Sequence, residues 1–307
     1  MLAVATLPIS AARRAALRCT LFCAVALAGC AIADRVDVTA KSVSDVAQRV
    51  HALLPLDALL LGEQHDAPDH QRIHREVIEA LAARGALAGV VLEMAMQGNS
   101  TASLVSLGSS HGADASEDAI RAALKWDDRA WPWASYAPAI LAAVRAGVPV
   151  MGANLARAQM GTAMQQTDLD QRLGGPALKA QQQLIRLGHC NLLPESQISP
   201  MTRIQIARDV AMANAIVQAH ADAALANPSE SGKSTKTVVL LAGSGHANRT
   251  LGVPQHLPPG LKVKSVLLVA GSESDAGGRA SDFDAVWAAA PVPAKDYCAG
   301  LKAKLPG

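Results

Sequence analysis

Short apolar runs that end abruptly in polar side chains recur along the chain and predict buried strands. Residues 59–62 read Leu-Leu-Leu-Gly and are followed directly by Glu63 and, two residues later, by His65. Three further apolar runs end in the same manner, at Glu93, at Asn154 and, after Gly-Ser-Gly, at His246. Because continuous apolar runs of this length are typical of strands buried on both faces, they indicate a parallel sheet.

Between these runs, apolar residues recur with the period of amphipathic helices. A predicted helix over 69–84 begins after Pro68 and ends before Gly85, as these two residue types favour. The strand-helix-strand order implies right-handed crossovers and parallel pairing. Residues 155–226 contain no strand-like run, so we predict a helical insertion at about 155–235. The expected fold is α/β, with a mostly parallel central sheet flanked by helices and this insertion between strands three and four.

The polar residues that follow the predicted strands indicate one shared site. The carboxyl ends of parallel strands meet at one edge of a sheet, where ligands bind, so Glu63, His65, Glu93 and His246 are expected to converge there. Imidazole acts as a base or a metal ligand near neutral pH, and carboxylates orient it or share the metal. These four residues therefore fit hydrolysis, with or without a divalent metal bound to them. Alternatively, they cap helices and satisfy one another.

Two neighbouring features could enlarge this site. His70 and His74 lie four residues apart on the predicted helix, so their imidazoles share one face. No His-Glu-x-x-His arrangement is present, and we expect that face to be solvated. A short segment concentrates large rings, whose faces suit a planar macrocycle, although ordinary packing explains them equally well. Its members are Trp126, Trp131, Trp133 and Tyr136.

The N-terminus carries the pattern of a bacterial lipoprotein signal. Arg13, Arg14 and Arg18 form a basic region at the start of an apolar stretch at 17–28, which is too short to span a bilayer as a helix. Leu-Ala-Gly-Cys then ends at Cys30 and matches a lipobox, cut before the cysteine that carries the lipid. We expect a signal peptide at 1–29 and a lipid anchor at Cys30, which would hold the protein at the outer membrane, in the periplasm or on the cell surface. An ordinary signal peptide and a buried helix are the alternatives.

Length, charge and cysteine content limit the domain organisation and the partners that the protein can have. The 307 residues suit one large domain, and we expect a tether and helix at 30–56, the α/β domain at 57–290 and a loose, Pro- and Lys-rich tail at 291–307. The formal net charge of +2 falls to about −1 once the three signal-peptide arginines leave, so no nucleic-acid partner is expected. Cys190 and Cys298 remain in the mature chain, either paired or as separate buried thiols.

A series of motifs in residues 55–290 resembles the ChaN-like haem-binding lipoproteins. In chain order they are Leu-Leu-Leu-Gly-Glu-Gln-His-Asp at 59–66, Val-Val-Leu-Glu-Met at 90–94, Trp126 with Tyr-Ala-Pro at 136–138, Gly-Ala-Asn at 152–154, Gly-His-Cys at 188–190, Arg-Asp at 208–209 and Ala-Gly-Ser-Gly-His at 242–246. An ordered series of this length is much more specific than any single motif. The lipobox agrees with it independently.

The resemblance implies a lipid-anchored protein of haem or iron acquisition, with haem near the carboxyl edge of the sheet and outer-membrane uptake machinery as a partner. Family haem binding is associated with a tyrosinate iron ligand and a haem shared in a homodimer. The mature chain offers Tyr136 and Tyr297 as ligands, and Tyr136 is the expected one, because it lies in matched sequence. The residues expected to contact haem are Tyr136, His65, Asn154, Trp126 and His246.

The same resemblance also implies an alternative function, as a hydrolase. The family belongs to a wider group that includes the Tiki and TraB proteins and erythromycin esterase-like hydrolases. In that group a Gly-Glu-x-His turn, a glutamate after the second strand and a late Gly-x-His form the shared site. Carried over to this chain, the catalytic residues of a hydrolase would be Glu63, His65, Glu93 and His246.

Overall fold

A single sheet of six parallel strands forms the centre of the computed structural model, which describes residues 38–105, 115–226 and 236–302. The strands are β1 Ala58–Glu63, β2 Leu87–Met96, β3 Val150–Asn154, β4 Thr237–Gly243, β5 Val263–Ala270 and β6 Ala285–Ala289. Their spatial order is β3-β2-β4-β1-β5-β6, and every neighbouring pair runs parallel. The predicted α/β class with a parallel sheet is confirmed. The predicted signal peptide and Cys30 lie outside the described residues.

Helices cover both faces of this sheet. They are α1 Val38–Leu53, α2 Pro68–Ala83, α3 Glu117–Leu124, α4 Trp133–Arg145, α5 Arg157–Gln165, α6 Gly175–Gly188, α7 Glu195–Ala226, α8 Ser244–Ala247 and α9 Ala299–Lys302. Short 3₁₀ segments occur at Thr167–Gln171, Val253–His256 and Glu273–Asp282. Within the described ranges, no helix is both long and apolar enough to span a membrane.

Alternate residues of each strand pack into different layers, which explains why the strands are apolar throughout. Leu59 and Leu61 of β1 join a core cluster that contains the apolar stripes of α2 and α4. Leu60 points to the opposite face and packs in a cluster with Met212 and Ile216 of α7. Because both faces are covered, polar side chains of the central strands can reach solvent only at the strand ends.

The long helix α7 connects the helical insertion to the sheet. Its first half packs with α5 around a separate apolar cluster that contains Leu155, Ala163 and Ile206. Its second half lies against the sheet, in contact with β2, β3 and β4. The middle of α7, at about residues 205–209, is therefore held beside the carboxyl edge of the central strands.

The C-terminal segment is tied down, so the expectation of a loose tail is wrong for its described part. Cys190, just after α6, and Cys298 form a disulfide with their Cα atoms 5.7 Å apart. This result decides between the two states that the sequence leaves open. The bond joins positions 108 residues apart and keeps Cys298 beside the insertion.

Candidate functional site

The carboxyl edge of the sheet brings the predicted polar residues together. Glu63 ends β1, Glu93 lies in the second half of β2, and His246 lies in α8 directly after β4. Because β4 pairs with both β1 and β2, these three strand ends are adjacent. They face a cavity of about 1230 Å³ that is also lined by His65, so the predicted convergence is found in the structure.

Five side chains at this edge form a chain of alternating acids and bases. His65 Nδ1 lies 2.7 Å from Glu63 Oε1, and its Nε2 lies 3.8 Å from Glu93 Oε2. His246 Nε2 lies 3.4 Å from Glu93 Oε1 and its Nδ1 2.6 Å from Asp209 Oδ1. Each imidazole is therefore placed between two carboxylates, and this arrangement, named the acid-base chain below, is mostly buried.

Asp209 is the member of the acid-base chain that sequence reasoning missed. It lies in the middle of α7 and is 1% exposed. The Arg-Asp pair at 208–209 belongs to the motif series, but helical periodicity alone does not show which face of α7 meets the strand ends. Only the packing of α7 on the sheet brings this carboxylate to His246.

The buried half of the acid-base chain is an ion pair at neutral pH. Burial alone would raise the pKa of Glu93, but the charge and hydrogen bond of His246 outweigh it and lower the pKa to about 2. Burial alone would lower the pKa of His246, but Glu93 and Asp209 raise it to about 10. Burial raises the pKa of Asp209 to about 6, since this carboxyl has no contact with solvent. Glu93 and His246 therefore carry opposite charges over a wide pH range.

A glycine makes the close approach of His65 to this edge possible. A Cβ at Gly243 would lie 2.9 Å from His65 Nε2, closer than nonbonded atoms tolerate. The backbone N–H of Gly243 also donates to Glu93 Oε2 at 2.7 Å. The last residue of β4 therefore leaves room for the imidazole and binds the carboxylate.

His65 gives a testable pH dependence. Burial alone would lower the pKa of His65, but the hydrogen bond with Glu63 and the charge of Glu93 raise it above 6.5. A group with a raised folded-state pKa stabilises the fold fully below its unfolded pKa and loses that contribution as pH rises through the folded pKa. The difference in unfolding free energy between the wild type and His65→Gln is therefore expected to be larger at about pH 6 than at about pH 9. Urea unfolding measures it, and equal differences would contradict the proposed ion pairs.

Glu63 is surrounded by donors. Its Oε1 accepts from Tyr136 at 2.6 Å as well as from His65, and its Oε2 accepts from Gln71 at 2.8 Å. Burial alone would raise the pKa of Glu63, but the hydrogen bonds with His65 and Tyr136 and the charge of His65 lower it. Burial and the charge of Glu63 raise the pKa of Tyr136. The Tyr136 hydroxyl is thus a buried, neutral donor to Glu63.

A divalent metal at Glu63, His65, Glu93 and His246 is not supported. In the part of the chain that the structure describes, no group of three or more His, Cys, Asp or Glu side chains is arranged to hold a metal ion. The physical reason is the alternation: each imidazole nitrogen of His65 and His246 faces a carboxylate. Glu63 and Glu93 are thus each engaged by an imidazole.

The expected solvated face at His70 and His74 is wrong. Both imidazoles are 0% exposed, because this face of α2 is turned towards the end of β1. His70 Nδ1 accepts from the Gln64 N–H at 2.9 Å, which fixes the turn after β1. His74 lies 3.5 Å from Glu63 Oε2, and burial lowers its pKa to about 4, so it is neutral. Both residues support the turn that carries His65.

The remaining predicted residues lie at different distances from the cavity. Asn154 ends β3 at the edge of the sheet and is 5% exposed, but it is outside the cavity lining. Trp126 packs against Trp133 and Tyr136 with ring centroids 5.0 and 5.9 Å apart, and it is likewise outside the lining. Trp131 is the indole of this group that lines the cavity, with its ring 4.8 Å from that of His65.

Basic and phenolic side chains line the rest of the cavity, and their positions in the sequence do not predict that they lie together. They are Arg208, Arg279, Lys295 and Tyr297. Arg208 Nε is buried and has no hydrogen-bond partner among the described residues. Tyr297 is 54% exposed, and its hydroxyl donates to Asp66 at 3.0 Å. The cavity thus combines an aromatic wall, cations and an accessible phenol.

Comparison with known proteins identifies the family. A family model described as "Haem-binding uptake, Tiki superfamily, ChaN" matches residues 50–257. This range is more than half of the 307 residues, and the chain belongs to that family. The predicted membership is confirmed, and it favours the haem-binding prediction over the hydrolase alternative.

A solved structure supports the fold independently. The structure titled "Cofacial heme binding to ChaN of Campylobacter jejuni" is similar with a TM-score of 0.56 and 23% sequence identity, over 73% of this chain and 86% of that one. A comparison with curated proteins gives no match.

Proposed function

We propose that the protein binds haem in the cavity at the carboxyl edge of the sheet. Family membership supports a haem ligand, and the cavity volume of about 1230 Å³ is ample beside the roughly 300–1,000 Å³ of ordinary cofactor sites. Bound haem would supply an iron centre that takes an axial ligand from the protein. The resident side chains supply an aromatic wall, positive charge and that ligand.

The single observation that carries the proposal is the buried Nε–H of Arg208, which has no hydrogen-bond partner among the described residues. A buried N–H without an acceptor is unfavourable, since the group has lost its hydrogen bonds to water. Arg208 Nε is such a group, and Arg208 lines the cavity. Haem carries two carboxylates, which arginine binds with charge-assisted hydrogen bonds. Trp131, on the same wall as His65, offers an aromatic surface for a flat macrocycle.

Of the two tyrosines, Tyr297 is the better iron ligand. Tyr136 is 2% exposed and its hydroxyl is held by Glu63 at 2.6 Å, so it would have to leave a buried hydrogen bond to meet iron. Tyr297 is 54% exposed, lines the same cavity and bonds to the exposed carboxylate of Asp66. Moving the Tyr297 phenol therefore costs little.

Titration of the purified protein with haem tests the function, and Arg208→Gln tests the residue that supports it. The wild type is expected to give a saturable Soret band, and Arg208→Gln to bind at least about 10-fold more weakly, because a charge-assisted hydrogen bond contributes roughly 1.5–3 kcal/mol. Arg145→Gln is the matched control, since Arg145 is exposed at the end of α4. Absence of a Soret change in the wild type would remove the proposal.

We further propose that the protein acts at the outer membrane, anchored by lipid at Cys30, alongside haem-uptake machinery. The Leu-Ala-Gly-Cys sequence and the basic, apolar segment before it support this location. The intact mass of the mature protein tests it. A mass without acyl chains, or an N-terminus upstream of Cys30, would contradict it.

We also propose that haem is shared between two copies of the chain. The similar Campylobacter jejuni structure is titled for cofacial haem binding, and the cavity here is lined by Tyr297, whose side chain is exposed to solvent. Sedimentation with and without haem measures the mass, and a haem-loaded protein that remains monomeric would contradict sharing.

A further inference from the structure

The segment between β6 and α9, named the strap here and comprising residues 290–298, runs along the mouth of the cavity. At its start, the Ala290 N–H donates to Asp69 Oδ2 at 2.8 Å, at the beginning of α2. Further along, Lys295 Nζ lies 3.2 Å from Asp66 Oδ2, and both Lys295 and Tyr297 line the cavity. At its end, Cys298 is bonded to Cys190.

The noncovalent contacts of the strap are weak. The side chains of Lys295 and Asp66 are 60% and 40% exposed, and ion pairs of this kind contribute little to stability. Pro291 and Pro293 have no N–H to donate, and the strap forms no helix or strand between 290 and 296. The hydrogen bond from Tyr297 to Asp66 is exposed to water. The disulfide is therefore the dominant attachment of the Tyr297 end.

The other partner of the disulfide is held rigidly at the same side of the cavity. Cys190 and Asn191 have φ angles of 59° and 57°, the left-handed conformation that residues other than glycine rarely adopt. The Cys190 N–H donates to Leu187 O at 2.9 Å, and the Asn191 N–H to Arg186 O at 2.8 Å. Gly188, two residues before Cys190, lines the cavity. The end of α6 thus holds Cys190 two residues from the cavity lining.

We propose that the Cys190–Cys298 disulfide is a positioning element of the haem site, which holds the Tyr297 phenol at the cavity mouth. This role rests on the proposed haem binding. With the bond intact, Tyr297 is one residue from a covalent anchor and stays beside Asp66. With the bond broken, the strap remains attached only through β6 and its exposed polar contacts, so Tyr297 spends less time where it can meet a ligand.

Reduction of the folded protein tests the positioning role. A dithiol reductant donates two electrons and two protons, which breaks the S–S bond, leaves thiols at Cys190 and Cys298, and converts the reductant into its cyclic disulfide. The variant Cys298→Ser reaches the same state without reductant. Thermal unfolding checks that both species remain folded.

Two measurements distinguish a positioning role of the disulfide from a purely structural one. Without haem, trypsin cleavage after Lys295 is expected to be at least about 5-fold faster in the reduced protein and in Cys298→Ser, because proteolysis requires local opening. Both species are also expected to bind haem at least about 10-fold more weakly than the oxidised protein. The absorption spectrum of their bound haem is expected to differ from that of the oxidised protein and to match that of Tyr297→Phe. A purely structural disulfide would shift the unfolding temperature and leave the spectrum of the bound haem unchanged.

The outcomes separate this inference from the proposed function. If the oxidised protein gives no Soret band, haem binding itself fails and the positioning role fails with it. If the oxidised protein binds haem and reduction alters neither its affinity nor its spectrum, only the positioning role is overturned. Unchanged cleavage after Lys295 would likewise overturn it, since the strap would then be held without the disulfide.

Discussion

Replacing His246 with alanine is expected to lower the free energy of unfolding at neutral pH by about 3–5 kcal/mol, the loss that follows removal of one partner of a buried ion pair. The His246 side chain is 6% exposed and lies between two buried carboxylates, 3.4 Å from Glu93 and 2.6 Å from Asp209. Without the imidazole, both carboxylates stay in a low-dielectric place with no positive charge between them. The remaining donor to Glu93 is the N–H of Gly243 at 2.7 Å.

Two variants make this measurement specific. His51→Ala removes an exposed imidazole from the last turn of α1 and is expected to leave unfolding by urea unchanged within error. Asp209→Asn keeps an oxygen that can accept from His246 Nδ1 and is expected to cost less than His246→Ala. Equal unfolding free energies for His246→Ala and the wild type would show that the acid-base chain does not hold this edge of the sheet together.

The prediction succeeded for residues whose position follows from strand geometry. Glu63, Glu93 and His246 each follow a fully apolar run, and such runs must lie in the centre of a sheet covered on both faces. Right-handed crossovers make those strands parallel, so their polar ends share one edge whatever the strand order. The convergence therefore did not depend on knowing that β4 lies between β1 and β2.

Residues supplied by helices and by the C-terminal segment could not be placed in this way. Asp209 and Arg208 reach the cavity because α7 spans both the insertion and the sheet. The apolar residues of α7 pack against the insertion in its first half and against the sheet in its second half. The sequence of α7 therefore does not show which of its faces meets the cavity.

His70 and His74 have the spacing of an exposed pair, yet both are buried. Their imidazoles face the end of β1, at the Gln64 N–H and at Glu63. A pattern within one helix does not reveal which of its faces meets the sheet.

The disulfide between Cys190 and Cys298 could likewise not be predicted from the sequence alone. Cys190 and Cys298 are separated by 108 residues, and two such thiols pair only if the fold brings their Cα atoms within about 7 Å. The fold does so because β6 lies beside β5 at the sheet edge, and the strap then returns past α2 to the end of α6. The link brings Tyr297, which lies outside every predicted motif, to the cavity.

Replacing Tyr297 with phenylalanine is expected to weaken haem binding by at least about 100-fold, since even indirect partners of a metal ligand contribute 10- to 100-fold to metal affinity. The phenol lines the cavity, is 54% exposed and is free of buried contacts. Burial and the hydrogen bond to Asp66 raise the pKa of Tyr297, so the hydroxyl is protonated before haem arrives. A phenolate ligand must release that proton, and haem affinity of the wild type is expected to rise with pH.

Tyr136→Phe is the matched control, because it removes the same atom from the other tyrosine. The Tyr136 hydroxyl donates to Glu63 at 2.6 Å and is buried. Its loss is expected to destabilise the fold by about 1–3 kcal/mol through an incompletely satisfied carboxylate, and to leave the Soret band and its pH dependence in place. Haem titrations of both variants at two pH values, with urea unfolding in parallel, separate the roles. A Soret band lost in Tyr136→Phe and retained in Tyr297→Phe would assign the iron ligand to Tyr136, and the phenol at the cavity mouth would then have no part in binding.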